Sequence, residues 1–302
     1  MSSKSIFQLL SLSAIWSGYY LCTKYLNSFV STFASGVAVR VVTILSLILF
    51  LALKGRLSAL HAPKGARPRL ILVGVLCFVL DITAFVGFAY CPASVGSALL
   101  KCDILFVNLL AYFVSRRIPT KKEWFFTILM LAGVFVLLDI NYTEIRSTNA
   151  YSLLFLVSAF TVSCNAYLVQ SVQKKYPEID DMAIALYNLL FSGLCFLAMC
   201  VFSNLLGDIK TIACTPRFLT VALAGGILDV ALFIIYYKSL REFSVWFVKS
   251  ILLTMPVFTA AISYFVFDEI LNFKQIIGIV VICLGAVLIL NDQSKNSAKQ
   301  KA

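Results

Sequence analysis

The chain has 302 residues, 61% hydrophobic and 13% charged, too few charged groups to cover the surface of a soluble globule of this length. Its net charge of +11 is spread between apolar runs and forms no single basic stripe, which argues against nucleic acid as a partner and matches the flanks of membrane helices. Nine cysteines occur without a C-x-x-C pair, and the single histidine, His61, lies in a basic loop; no metal site, cofactor site or catalytic triad is expected.

Apolar runs of about 20 residues are needed to cross about 30 Å of hydrocarbon, and ten can be placed. The first five are Ser5 to Cys22, Thr32 to Leu53, Leu70 to Tyr90, Ala93 to Val114 and Trp124 to Asp139. The second five are Tyr151 to Val172, Met182 to Leu206, Phe218 to Leu240, Phe243 to Phe267 and Phe273 to Leu290. Lys4 before the first run has the look of a signal peptide, but no A-x-A cleavage site follows, so the run is kept as a span. Cys77, Cys164, Cys195 and Cys283 fall inside runs and read as small core residues.

Counting Lys and Arg in alternate loops gives seventeen on one side, including Lys54, Arg116, Lys174 and Lys238. The other side has five: Lys24, Arg146, Lys210, Arg217 and Lys274. Both termini are therefore expected in the cytoplasm. Short loops, with Asn141-Tyr142-Thr143 as the sole glycosylation-type site in an exterior loop, point to a bacterial inner membrane.

A shift of 152 residues superposes Leu131-Ala132-Gly133-Val134 on Cys283-Leu284-Gly285-Ala286, and the fourth and ninth runs also correspond. Five spans per half make the second copy enter with the opposite orientation. The expected fold is all-α integral membrane: ten transmembrane helices as two inverted five-helix repeats, over 1–140 and 150–291, followed by a polar cytoplasmic tail at 292–302.

Several segments resemble the drug/metabolite transporter superfamily and its EamA branch. Ala14-Ile15-Trp16-Ser17-Gly18 followed by Lys24 is similar to that family's Ala-x-x-Trp-Gly opening, Arg40 to an arginine of its second helix, and Ala89 to Ser94 to its link between the third and fourth helices. Met255-Pro256-Val257-Phe258, Phe267-Asp268-Glu269 and Leu284-Gly285 are similar to its Glu-Pro-Val-Phe, Gly-Glu and Ala-Gly pattern. The first half departs from it, with Asp103-Ile104 where proline is usual and Ser115-Arg116-Arg117 where Gly-Glu is usual. The resemblance implies a central cavity lined by the first, third, fourth, sixth, eighth and ninth helices.

An unpaired charge near the bilayer centre costs at least about 2.5–3.5 kcal/mol, so ionisable groups inside spans are the first candidates for binding cargo: Asp81, Lys101, Asp103, Asp229 and Lys249. Arg40 ranks lower, since it can reach the interface by snorkelling. Lys101 and Asp103 diverge by about 200° on a helix; one is expected to face the cavity and the other to pair with a neighbouring helix, where Asp81 and Arg40 lie at suitable depth. Structural ion pairing is the competing reading for each charge. Trp16, Tyr20 and Trp246 are candidate cavity walls, with helix packing as the alternative, and Asn165 either binds substrate or joins helices. Pro256 is expected to kink the ninth helix, and Glu269 to fix the turn after it. Gly18, Gly87, Gly96, Gly225 and Gly226 allow close helix approach.

With no Walker loop, the expected function is a secondary carrier of an amino acid or related zwitterionic or anionic metabolite, working by alternating access. Its partners are lipid, the small-molecule substrate, and protons or an exchanged metabolite, with a homodimer allowed. The alternatives are a nucleotide-sugar or organophosphate exchanger gripped by Lys101 and Lys249, and a non-transporting sensor or scaffold. An enzyme is not expected.

Overall fold

A computed structural model describes residues 3–90, 99–116, 118–138, 151–267 and 272–299, and its regular elements there are all helical. They are α1 (Ser3–Asn27), α2 (Thr32–Leu53), a 3-10 turn (Leu57–Leu60), α3 (Arg67–Tyr90), α4 (Asp103–Ser115), α5 (Lys121–Leu137), α6 (Ser152–Lys175), α7 (Asp181–Phe202), α8 (Leu206–Cys214), α9 (Pro216–Glu242), α10 (Val245–Leu252), α11 (Met255–Phe267) and α12 (Phe273–Lys299). Among the described residues, six segments are by themselves long and apolar enough to cross a bilayer: Thr32–Leu53, Leu153–Lys175, Asp181–Phe202, Pro216–Glu242, Val245–Ile262 and Phe273–Asp292. Cys91 to Ser94, Gly96, Arg117, Asp139, Asn141 to Thr143, Arg146, Asp268 and Glu269 lie outside the described residues.

Several boundaries differ from expectation. The seventh run stops at Phe202, because Asn204 takes a left-handed conformation (φ 57°) and the chain restarts as the short α8. The ninth run is two helices, interrupted at Leu253 and Thr254. The tenth run, expected to end at Leu290, continues as helix to Lys299.

The helices pack as two compact units, each drawing on both halves of the sequence: Met1–Ala14, Leu80–Tyr167 and Phe243–Ala302 form the first, Ile15–Val79 and Leu168–Glu242 the second.

In the first unit α5 and α12 lie against each other through glycines. A Cβ built on Gly133 would sit 2.9 Å from Ile282, and one on Gly285 would sit 2.4 Å from Met130. Gly133 and Gly285 are 152 residues apart, and so are Met130 and Ile282, so this is one contact made twice in reciprocal sense. The start signals repeat too. Thr120 and Glu123 close a capping box ahead of α5, and Asn272 and Gln275 exchange the same pair of bonds ahead of α12, each 2.9 Å. α4 and α11 likewise begin and end 152 residues apart. The sequence similarity between halves is thus expressed as equal helix limits.

In the second unit α2 and α7 are both 22 residues long and start 149 residues apart, as do α3 and α9. Ser31 and Asp180 cap the first pair. One end of the unit is tied by Arg56 to Asp180 at 2.8 Å, Arg241 to Asp181 at 2.7 Å, and the Tyr176 hydroxyl to the Gly65 carbonyl at 2.7 Å.

Polarity is reversed relative to a soluble protein. Leu45, Leu49, Leu194 and Phe202 of the second unit are exposed, as are Phe113, Phe125, Ile128 and Leu284 of the first, while Ser35, Thr43, Asn188, Asn108 and Thr127 are buried. Lipid, not water, solvates such an exterior. The described cysteines are unbridged, with Cys77 buried and Cys164 and Cys195 half-buried. Cys283, expected in the core, is exposed, since an apolar run does not reveal which face of its helix is lipid-facing.

Candidate functional site

Each unit buries its own group of charges. In the first, Lys249 of α10, 3% exposed, donates to Asp103 Oδ2 at 3.0 Å. Asp103 opens α4, where a carboxylate also suits the positive end of the helix dipole. The helical turn before it, residues 99–101, ends at Cys102, whose amide bonds the Leu99 carbonyl at 3.1 Å in the tighter three-residue pattern. Lys101, on that preceding turn, brings its ammonium 3.4 Å from the thioether of Met255 at the start of α11.

The matching interruption between α10 and α11 has a proline behind it. Pro256 has no N–H to offer the Leu252 carbonyl, and Leu253 and Thr254 turn back onto Ser250 and Ile251 carbonyls at 3.2 and 2.9 Å. Ser13 of α1 lies at this break, its hydroxyl 3.0 Å from that of Thr254 and 3.4 Å from the Ile251 carbonyl. From α6, Ser163 donates to the Asp103 carbonyl at 2.9 Å and Tyr167 to that of Val107 at 3.0 Å. The neighbouring Ser250 hydroxyl and Asn108 Oδ1 are buried and have no hydrogen-bond partner among the described residues.

In the second unit Arg40 of α2, 5% exposed, donates to Asp229 Oδ2 of α9 at 2.6 Å. The Thr43 hydroxyl stands 3.1 Å from the same oxygen and 2.8 Å from the Val39 carbonyl, with one proton to serve either. Cys77 Sγ is 3.7 Å from the second Arg40 nitrogen, and the Phe233 ring lies 6.0 Å from the guanidinium.

A family model described as the EamA-like transporter family matches residues 3–139 and again 149–291. The chain belongs to the EamA-like transporter family. It is therefore an integral, multi-pass protein of a family of membrane transporters. Among solved structures, one crystal structure superposes on this EamA-like chain with a TM-score of 0.74 at 14% identity, over 96% of this chain and 98% of the other; that likeness concerns the fold. No curated protein matches.

The candidates named from sequence divide between the units of this EamA-like protein. Lys101, Asp103 and Lys249 gather in the first. The partner of Asp103 is Lys249, which corrects the expectation of Asp81 or Arg40: the ninth helix is broken one turn beyond Lys249, and α10 packs on α4. Asp81 is half-buried in the first unit and has interactions of its own. Arg40 does not snorkel; it is buried against Asp229, whose carboxylate compensates its charge. Trp246 is buried, its indole N–H 3.3 Å from Thr127 on α5. Asn165 is buried on α6. Trp16 meets Tyr236 edge-on at 5.3 Å and Tyr20 at 6.4 Å, and Tyr20 is 43% exposed. Sequence reasoning did not single out Met255, Thr254, Ser13 or Thr43 as parts of these clusters, because in an apolar run such residues read as packing.

Proposed function

We propose that this EamA-like protein is a secondary carrier with ten transmembrane spans in two inverted five-helix repeats, moving a small zwitterionic or anionic metabolite by alternating access. The observation that supports it is the gathering of Lys101, Asp103 and Lys249 inside the first unit, in a chain whose family is one of transporters. Buried charge of this kind is expensive in lipid and is kept where cargo or a coupling ion meets it. Asp81, Asp229, Asn165, Trp16, Tyr20 and Trp246 remain proposed cargo contacts. Both termini are proposed to face the cytoplasm of a bacterial cell, on the strength of the basic loops. The organophosphate reading, which needs Lys101 and Lys249 together on phosphate, is the weaker one, because Lys249 is already engaged by Asp103.

The test is counterflow in proteoliposomes with pooled labelled amino acids, nucleotides and sugar phosphates, with Lys101→Ala and Asp81→Ala run in parallel. Saturable exchange of one class, lost in the variants, is expected. Well-folded protein that moves none of them, with or without a proton gradient, would turn the reading toward a sensor or scaffold.

A further inference from the structure

We infer that Lys101 binds a carboxylate of the cargo, because the position that would carry its own counter-ion holds Met255. The inference rests on the carrier reading above for the word cargo, and on the geometry of the first unit for everything else.

Asp103 and Met255 are equivalent positions. Each opens a helix after an interruption, α4 after Cys102 and α11 after Leu253 and Thr254, and the two helices have limits 152 residues apart. Each of the two positions receives an ammonium from the opposite half of the sequence: Lys249 reaches Asp103 at 3.0 Å, and Lys101 reaches Met255 at 3.4 Å. One of these arrangements is an ion pair. In the other a full positive charge faces a thioether, which is a weak acceptor and carries no charge. Asp103 is committed to Lys249, Asp81 has interactions of its own, and Lys101 forms no ion pair among the described residues.

Lys101, Lys249 and Asp103 together leave one unbalanced positive charge in the interior of a membrane protein. A single carboxylate balances it. A phosphate dianion would overshoot and lie against Asp103, and an amine would add to the excess. The cargo class is therefore a carboxylate-bearing metabolite, amino acids included.

The geometry supplies its own test, since an internal carboxylate at 255 should displace the external one. Wild type, Lys101→Gln, Met255→Asp, Met255→Leu and the double variant Lys101→Gln/Met255→Asp would be melted as full-length protein in detergent. The probes are a pool of L-amino acids with lactate, pyruvate and succinate, then inorganic phosphate with glycerol phosphate, then putrescine. The carboxylate pool is expected to raise the melting temperature of wild type and Met255→Leu. Lys101→Gln should need about tenfold more of it, or lose the shift. Met255→Asp should melt higher than wild type without any probe and gain nothing from the pool, and the double variant should lose that advantage. An undiminished carboxylate shift in Lys101→Gln overturns the inference, as does a wild type shifted by phosphate alone or by nothing. Should Met255→Asp fail to fold, Lys101→Gln beside Met255→Leu still decides. Counterflow of the same pools separates the two readings: a Lys101-dependent shift without counterflow removes the carrier and keeps the carboxylate site, while counterflow indifferent to Lys101→Gln does the reverse.

Discussion

Arg40 and Asp229 are separated by 189 residues of sequence and meet at 2.6 Å with almost no exposure. Removing one member of a buried pair strands the other charge, at a cost of about 3–5 kcal/mol, whereas replacing both with apolar residues can be nearly neutral. Asp229→Asn is thus expected to lower thermal stability in detergent sharply, and Arg40→Met/Asp229→Leu to recover most of it; an Asp229→Asn protein that melts like its parent would show the pair to be unimportant. The charges themselves were legible in the sequence, because Lys or Asp inside an apolar run has no cheap alternative to a partner or a cargo. Their pairing was not. Which helix faces Asp103 depends on packing across 146 residues, and the angle between Lys101 and Asp103 was estimated for a continuous helix that the turn at Cys102 interrupts. Met255 stood in the sequence where the resembled pattern has glutamate, but its meaning needed the fold: it occupies the position equivalent to Asp103 and faces Lys101.

Among the elements, α5 and α12 approach each other closely enough for a glycine to meet backbone. A Cβ at Gly278 would fall 2.4 Å from the backbone nitrogen of Leu137, an atom that cannot swing aside as a side chain can. Gly278→Ala should therefore push the two helices apart at a cost of about 1–3 kcal/mol. Gly207→Ala in α8, where nothing lies within 4 Å, should be neutral or slightly stabilising. Thermal melting of both checks this, and equal behaviour of the two would count against the reading. Helix existence followed from apolar length, and α2 was bounded correctly at both ends. The α10/α11 interruption was half legible through Pro256, but its counterpart at Cys102 lies in the half of the chain that lacks that proline. A break maintained with and without proline belongs to the packing of the unit, and Ser13 with Thr254 shows one way it is held.

For the molecule as a whole, the charge asymmetry makes a direct prediction. In a background without native cysteines, single cysteines at Lys64, Lys174 and Lys238 should react with a membrane-impermeant maleimide from the cytoplasmic side, and those at Lys24 and Lys210 from the opposite side. Labelling of both groups from one side would overturn the proposed topology. Membrane residence and the two-fold sequence repeat could be read without coordinates, since composition and self-similarity record them directly; the division into compact units could not, because it follows contacts between helices of different halves. That division bears on how the protein is made. Arg40 and Asp103 leave the ribosome 189 and 146 residues ahead of Asp229 and Lys249, an interval of roughly 7 to 40 seconds at ordinary elongation rates. Through that interval each nascent helix carries a charge whose partner has not yet been made, and neither unit can close until its own second-half helices have been synthesised. Closure of each unit therefore waits on helices from the second half, and the two halves, translated as separate polypeptides in one cell, should still find each other.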